Sequence, residues 1–118
     1  MDRTGHWAVP GLAVVNVVDL EFSLIRDERH LAVEVAGRLD AQTAPMLQDN
    51  MQEALEDINS ITFDLGALEF ISSAGLRILL AAYKLMNKRE GSMQVVNATG
   101  DVLSVLEMSG FASLFGIA

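Results

Sequence analysis

The spacing of apolar residues changes along this chain, and the change sets the order of its secondary structure. From Leu20 to Ala36, apolar and polar residues alternate in two runs separated by the polar sequence Asp27–His30, which predicts a β-hairpin. After Pro45 the apolar residues recur every three to four positions, as in an amphipathic helix. Short β-branched segments and two further helical patterns follow, so the predicted order is β-β-α-β-α-β-α.

Proline and polar residues bound the first predicted helix. Pro45 fits its first turn, where a missing backbone N–H costs nothing, and Thr43 or Ala44 is the expected cap. The apolar stripe continues to Ile58, and Asn59-Ser60 is expected to end the helix. This helix therefore joins the hairpin to the next strand.

Glycines bound the elements that follow. The strand Ile61–Leu65 is expected to stop at Gly66, and a short loop then leads into a second helix that begins near Ser72 or Ser73. Gly91 is expected to end this helix in a left-handed conformation. A short strand, a third helix and an apolar tail docked on the body complete the predicted fold.

These elements predict an α/β fold, a single domain with a mixed four- or five-stranded sheet and helices mainly on one face. Residues 1–19 differ from the rest, because Pro10 and Gly11 interrupt a valine-rich run. We interpret them as a loosely held N-terminal arm before a domain over residues 20–118. The alternatives are an extra edge strand or a dimer contact, so a monomer or a weak dimer is expected.

Composition excludes several classes of function. The 118-residue chain has no cysteine and carries a net charge of −8, which argues against thiolate metal sites and against nucleic-acid binding. Its two histidines, His6 and His30, lie far apart in sequence, so a histidine metal site is not expected. Because no run of about 18 apolar residues occurs, no membrane insertion is expected, and a cytoplasmic protein is the default.

Motifs for catalysis are also missing from the sequence. It contains no GxSxG, P-loop or HExxH pattern, and His30 is interpreted as a surface histidine in a turn. We therefore expect no catalytic residues, no metal and no cofactor, and hence not an enzyme.

Two adjacent serines occupy the expected start of the second helix. A helix N-terminus has unpaired backbone N–H groups, so the hydroxyl of Ser72 or Ser73 can cap it. The same position also suits a phosphoserine, because the N–H groups and the helix dipole both favour an anion there. Gly75, which lacks a Cβ, would then leave room for a close partner.

Two sequence blocks resemble those of the STAS domain family, which includes the anti-sigma factor antagonists and the C-terminal parts of sulfate transporters. The blocks are Gly37-Arg-Leu-Asp40-Ala-Gln-Thr43-Ala and Asp64-Leu through Ser72-Ser73-Ala-Gly75-Leu. The resemblance covers about residues 20–117 and implies the mixed sheet predicted above. For the antagonist branch it implies a switch: the unmodified domain binds an anti-sigma factor with serine kinase activity, phosphorylation releases it, and a phosphatase resets it.

The resemblance also implies the roles of individual residues. Ser73 matches the phosphorylated serine by its two-residue spacing before Gly75, with Ser72 as the second choice. Ser72 stands where the family often has aspartate, and Ala74 where it often has serine. The residues expected to bind the partner are Asp40, Thr43, Ser72, Ser73, Ala74, Gly75 and Arg77.

Nearby charges are expected to strengthen such a switch. A phosphate on Ser73 would be repelled by Asp40, Asp64 and Glu69 and partly shielded by Arg77. The alternative function is a non-switching STAS interaction subunit of a transport or sensory complex, in which the serine serves only as a helix cap. A small enzyme or ligand-binding domain is a further alternative, but no base or metal site supports it.

Overall fold

The computed structural model describes residues 12–17 and 19–117, which contain five strands and four helices. The strands are β1 (Leu12–Val17), β2 (Leu20–Asp27), β3 (His30–Leu39), β4 (Ser60–Ile71) and β5 (Ser92–Val96). The helices are α1 (Ala44–Ala54), α2 (Ser73–Lys88), α3 (Gly100–Met108) and α4 (Phe111–Leu114).

The strands form one mixed sheet in the order β1-β2-β3-β4-β5. The pairs β1–β2 and β2–β3 are antiparallel, whereas β3–β4 and β4–β5 are parallel. Because α1 and α2 connect parallel neighbours, both run back along the sheet and begin at the edge where β3 and β4 end. The predicted fold class is confirmed, and this edge collects the loops that follow two adjacent strands.

One face of the sheet carries the core. Apolar side chains alternate along β2, β3 and β4, and on this face they are buried together with side chains of the four helices in a single cluster. The opposite face is exposed or half-buried along β2, β3, β4 and β5, as at Glu34, Thr62 and Gln94. In the described part of the chain, no helix is both long and apolar enough to cross a membrane.

Part of the N-terminal arm is a strand. β1 pairs with β2 from Leu12 opposite Ile25 to Val17 opposite Leu20. Residues 12–17 therefore form an extra edge strand, the alternative given above, and are not a loosely held arm. The rest of the predicted arm, residues 1–11 and 18, lies outside the described residues.

The short strand predicted before the second helix is wrong in length, because β4 continues through Gly66 to Ile71. Its pairing with β3 is kept by two shifts of register, between Glu34 and Ala36 and between Gly37 and Arg38. Such irregularities let a strand continue past a residue that breaks the alternation. Gly66 thus marks a change of register inside a strand and not its end.

The first predicted helix is too long. α1 ends at Ala54, and the backbone at Asp57 is left-handed, with φ 62°, which a continuing helix does not allow. Ile58 is buried all the same, but from the turn after the helix. Because Ile58 is apolar and fits the helical spacing, the sequence pattern predicted a helix that continues past its true end at Ala54.

The end of α2 also differs from the prediction. The left-handed residue is Glu90, with φ 59°, and not Gly91. Glu90 N–H donates to Asn87 O and Gly91 N–H to Met86 O, the two bonds of a Schellman motif. Gly91 is required for another reason, because a Cβ there would collide with the backbone carbonyl of Asn59.

The C-terminal tail docks on the body as expected. Ala112 and Phe115 are buried, and the Phe115 ring lies 5.5 Å from both the Tyr83 and the Phe111 ring centroids. Leu114 is exposed. The contact between Tyr83 and Phe115 therefore fixes the last turn against α2.

Candidate functional site

The two sequence blocks meet at the edge of the sheet where β3 and β4 end. Leu39 and Ile71, the last residues of these strands, are register partners. The backbone N–H of Ser72 donates to Leu39 O at 2.9 Å. This bond holds the loop Asp40–Thr43 beside the first turn of α2, and the resulting surface is called the serine edge below.

Ser72 caps α2. Its backbone is extended, and its Oγ accepts a hydrogen bond from the backbone N–H of Ala74 at 3.2 Å. The Ser72 carbonyl accepts the N–H of Leu76 at 2.9 Å, as the residue before a helix does. Ser72 is half-buried, and its hydroxyl is already used to cap the helix.

Ser73 is the first residue of α2, and it is exposed. Its hydroxyl forms no hydrogen bond within residues 12–17 and 19–117. In the same part of the chain, the backbone N–H groups of Ser73 and Gly75 also have no acceptor. An anion on the Ser73 oxygen would therefore lie beside free donors at the positive end of the helix dipole.

Asp40 is held as an anion by the loop that follows it. Its Oδ1 accepts the backbone N–H of Gln42 at 3.0 Å and that of Thr43 at 3.1 Å. The hydrogen bond from the Thr43 backbone lowers the pKa of Asp40 below its ordinary value, helped by Gln42, by the Thr43 hydroxyl and by Arg38 at 3.9 Å, and opposed by partial desolvation. The serine edge thus carries a fixed negative charge.

Thr43 does not have the partner-binding role expected of its side chain. It is only 6% exposed. Its hydroxyl donates to Arg38 O at 2.8 Å and accepts the backbone N–H of Asp40 at 3.0 Å. Because a buried hydroxyl needs such partners, the Thr43 side chain fixes the shape of the loop.

Gly75 also has a different role from the expected one. It is buried, and a Cβ at this position would lie 2.7 Å from Ile71 Cγ1 and 2.9 Å from Leu39 Cγ. The glycine therefore lets α2 pack directly on the ends of β3 and β4, and it leaves no space for a partner. Ala74, half-buried, and Arg77, exposed, do face the surface beside the loop.

Of the acidic residues expected near the serines, Asp64 lies far from them. Asp64 lies seven residues before Ile71 on β4, roughly 20 Å from the serine edge at the rise of an extended strand. Its Oδ1 binds the Gly66 backbone N–H and the Asn97 amide instead. Its expected repulsion of a phosphate on Ser73 is therefore wrong.

Arg38 is a residue of the site that the sequence did not single out. Its guanidinium lies 4.2 Å from the centroid of the Phe70 ring and 3.9 Å from the Asp40 carboxylate. Both Arg38 and Phe70 stand inside the two sequence blocks, but their contact depends on the register of β3 and β4. The stacked guanidinium gives the acidic loop a neighbouring cation.

No metal centre accompanies these residues. The described residues contain no group of three or more His, Cys, Asp or Glu side chains able to hold a metal ion. His30 is half-buried at the opposite edge of the sheet, where its Nδ1 lies 2.6 Å from Ser60 Oγ. The polar groups at the serine edge are the Ser73 hydroxyl, the Asp40 carboxylate, the guanidinium groups of Arg38 and Arg77, and backbone N–H groups of the first turn of α2.

Comparison with known proteins agrees with this geometry. The family model described as the STAS domain matches residues 21–118. The chain belongs to the STAS domain family. This STAS domain is 31% identical over 102 residues to the anti-sigma F factor antagonist of Paenibacillus polymyxa, over 85% of this chain and 87% of that protein.

Solved structures of other proteins are similar as well. An anti-sigma factor antagonist from Mycobacterium paratuberculosis is 29% identical, with a TM-score of 0.72 over 86% of this chain and 87% of that one. The anti-sigma factor antagonist SpoIIAA in its unphosphorylated form has a TM-score of 0.71 and 19% identity, over 78% of this chain and 83% of that one. The latter likeness concerns the fold alone.

Proposed function

We propose that this STAS domain is an anti-sigma factor antagonist whose binding is switched by phosphorylation of Ser73. The observation that carries the proposal is the exposed Ser73 hydroxyl on the first turn of α2, beside the Asp40 loop. Relatives with the same fold are named anti-sigma factor antagonists, which supports this class of partner. In the unmodified state the serine edge docks on an anti-sigma factor with serine kinase activity, and docking frees a sigma factor in the cytoplasm.

The covalent step belongs to the kinase. The Ser73 oxygen attacks the γ-phosphorus of ATP bound to the kinase with Mg²⁺, an O–P bond forms, and the bond to the β-phosphate oxygen breaks. ADP leaves, and the hydroxyl proton passes to a base of the kinase. This domain contributes the hydroxyl and the surface that positions it.

The fold can accept a phosphate at Ser73 without rearrangement. Among the described residues the backbone N–H groups of Ser73 and Gly75 have no acceptor, and Arg77 follows Ser73 one helical turn later on the same side of α2. The added charge therefore acts on the bound partner and not on the core. An unpaired charge in a desolvated interface costs about 2–5 kcal/mol, which weakens binding roughly thirtyfold to several thousandfold.

Ser72 is the weaker acceptor because its hydroxyl caps the helix. A phosphate on Ser72 would displace the hydrogen bond from Ala74 and would lie on a half-buried residue. Ser73 gives up no hydrogen bond on modification.

The test uses two variants of the full chain with the kinase recovered by pull-down from the native cell. Ser73→Ala should retain the kinase and incorporate no phosphate from ATP. Ser72→Ala is the matched control: it should still be phosphorylated on Ser73 and lose about 1 kcal/mol of stability with its cap. Mass spectrometry that places the phosphate on Ser72 in the wild-type chain would contradict the acceptor assignment.

Release and reset complete the switch. ATP should dissociate the complex of the wild-type chain but not that of Ser73→Ala, and a phosphatase that removes the phosphate should restore binding. A stable complex that ATP leaves intact would instead assign the domain to a non-switching subunit of a transport or sensory complex.

A further inference from the structure

Arg38 is a cation that the fold holds in place and leaves open to solvent. Its guanidinium lies 4.2 Å from the centroid of the Phe70 ring, and its side chain is 49% exposed. Asp40 Oδ2 lies 3.9 Å from its Nε, which is too long for a hydrogen bond. Over the part of the chain that the structure describes, no guanidinium N–H of Arg38 has a hydrogen-bond acceptor. The ring therefore covers one face of the group, and its edge of N–H donors is free.

A shift of register between β3 and β4 produces this arrangement. Gly37 pairs with Leu68, and the next pair is Arg38 with Phe70. Glu69 is thereby passed over as an extra residue on β4. In an unshifted register Arg38 would lie opposite Glu69, and the two would form a pair of opposite charges. The shift exchanges that acid for an aromatic ring, which holds a guanidinium without using its N–H groups.

The backbone of Arg38 is fixed as well. Its N–H donates to Asp19 O at 2.7 Å, and its carbonyl accepts the hydroxyl of the buried Thr43 at 2.8 Å. The preceding Gly37 has φ 99°, and a Cβ there would collide with Asp19 O. An arginine that is fixed at its backbone and stacked at its side chain loses little conformational freedom on binding. Its hydrogen bonds to a ligand are therefore formed at a low entropic cost.

Acidic side chains surround this cation. Arg38 lines a depression of about 400 Å³ together with Asp19, Glu21 and Glu69, and Asp40 is its nearest carboxylate. A surface complementary to this pattern has a carboxylate opposite Arg38 and basic residues around that carboxylate. A uniformly acidic surface would meet the surrounding acids, and a uniformly basic one would place a cation against Arg38.

Arg38 is close enough to Ser73 to be covered by the same partner. The hydrogen bond from Ser72 N–H to Leu39 O joins the residue before Ser73 to the residue after Arg38. Because consecutive Cα atoms are about 3.8 Å apart, the Cα atoms of Arg38 and Ser73 are less than about 15 Å apart. An interface of standard size covers about 800 Å² on each partner and is roughly 30 Å across. An interface centred on Ser73 therefore reaches Arg38.

We propose that Arg38 anchors the docked anti-sigma factor by binding the carboxylate of an aspartate or glutamate on that partner. This inference rests on the proposed function and extends it, because it names the chemistry of the partner surface. N–H groups at the guanidinium edge donate to both carboxylate oxygens, in the bidentate geometry that arginine favours. Because Leu39 points into the core, Arg38 projects from the helix-free face of the sheet. The docking surface therefore extends past α2 onto that face.

Binding of the kinase to variants of the full chain tests the proposal. The kinase is recovered by pull-down from the native cell, and its binding is measured without ATP by surface plasmon resonance. Arg38→Gln should weaken binding about thirtyfold or more, mainly through faster dissociation, because the partner carboxylate is left desolvated and unpaired. Phe70→Leu keeps Arg38 but removes the ring that holds it, and should weaken binding about two- to tenfold. Lys88→Gln removes an exposed positive charge at the far end of α2 and should leave binding unchanged.

Cross-linking identifies the group opposite Arg38. Arg38→Lys places an amine at this position, and a carbodiimide joins an amine to an adjacent carboxylate as an amide while the reagent becomes a urea. We expect mass spectrometry to find a cross-link from position 38 to an aspartate or glutamate of the kinase. The native Lys88 is the internal control and should give no such cross-link.

The free chain provides a check on the stacked geometry. In NMR spectra the ring current of Phe70 should move the side-chain signals of Arg38 to high field, and Phe70→Leu should remove this shift. Thermal unfolding of Arg38→Gln should match that of the wild-type chain within a few degrees, because surface substitutions change stability little. A loss of binding by this variant then reports on docking and not on folding.

Three results contradict the proposal. The first is equal binding of the kinase by Arg38→Gln and the wild-type chain, and the second is the absence of the high-field shift. The third is a response of the Arg38 signals to phosphorylation of the free chain with no effect of Arg38→Gln on docking, which would assign the guanidinium to the phosphate on Ser73.

The test separates this inference from the phosphorylation switch. If the kinase transfers phosphate to Ser73 but binds Arg38→Gln normally, the switch stands and the role of Arg38 is wrong. If the kinase docks through Arg38 but does not phosphorylate Ser73, the proposed switch is wrong and the role of Arg38 stands. If no such kinase is recovered, both are contradicted.

Discussion

Asp40 shows how single residues shape the serine edge. Its carboxylate accepts two backbone N–H groups of its own loop, and the pKa of Asp40 lies below its ordinary value of 3.8 because of them. The folded state therefore binds this proton less tightly than the unfolded chain does. The contribution to stability is present above pH 3.8 and is lost as the pH falls through the lowered pKa.

Replacing Asp40 by asparagine tests this linkage, because the asparagine side chain keeps the size and one acceptor but does not titrate. The free energy of unfolding of the wild-type chain should exceed that of Asp40→Asn near neutral pH. The difference should shrink as the pH falls below 3.8. Urea unfolding followed by circular dichroism over a pH series measures it, with Asp49→Asn as the control for removing an exposed acid. A difference that does not change with pH would contradict the assignment.

At the scale of secondary-structure elements, the end of α2 shows two different reasons why a position can require glycine: a left-handed backbone, and a lack of space for a Cβ. Glu90 has the left-handed backbone, whereas Gly91 is needed because Asn59 O occupies the place of a Cβ. Glu90→Gly should therefore stabilise the fold by about 1 kcal/mol by relieving the left-handed strain. Gly91→Ala should destabilise it by more than about 2 kcal/mol, since a backbone must move. Thermal unfolding of the pair checks both signs, and the opposite order would return the left-handed role to position 91.

The strands and helices also show how much of the fold could be predicted from the sequence. The order of elements follows from the change of apolar period, which is a local signal, and the parallel pairing follows from the helices between strands. The passage of β4 through Gly66 depends on β3, whose two register shifts keep the pairing, and no local pattern contains that information. Ile58 was wrongly assigned to the helix for a related reason. An apolar residue that is buried in a turn cannot be distinguished in the sequence from one that is buried on a helix.

The site was predictable to a similar degree. The resemblance to STAS domains predicted that Asp40 and Ser73 lie close together, and the structure gives the reason, because both follow adjacent parallel strands. It did not distinguish residues that face a partner from residues that face the fold. Thr43 and Gly75 stand in the same blocks as Ser73, yet a buried hydroxyl and a missing Cβ serve the packing of the loop and of α2. That difference depends on contacts between the blocks.

At the scale of the whole molecule, two arginines donate hydrogen bonds to backbone carbonyls at the end of the sheet opposite the serines. Arg26 donates to the carbonyls of Ala54 and Glu56, and Arg89 donates to those of Leu55 and Ile58 at 2.7 Å. The carbonyls of Ala54 and Leu55 lie at the negative end of α1, where cations are favoured. β2, α1 and the end of α2 are thereby tied together far from the serine edge.

The sheet itself depends on β1, which covers the outer edge of β2 over six paired positions. Removing residues 1–17 would expose the N–H and C=O groups of that edge next to the buried Leu20 and Phe22. We expect the free energy of unfolding to fall by about 2 kcal/mol or more and the chain to associate through the open edge. A truncation of residues 1–11 keeps β1, so the difference between the two truncations isolates the strand. Urea unfolding and sedimentation measure the two effects, and equal midpoints for both truncations would mean that β2 is a sufficient edge without β1.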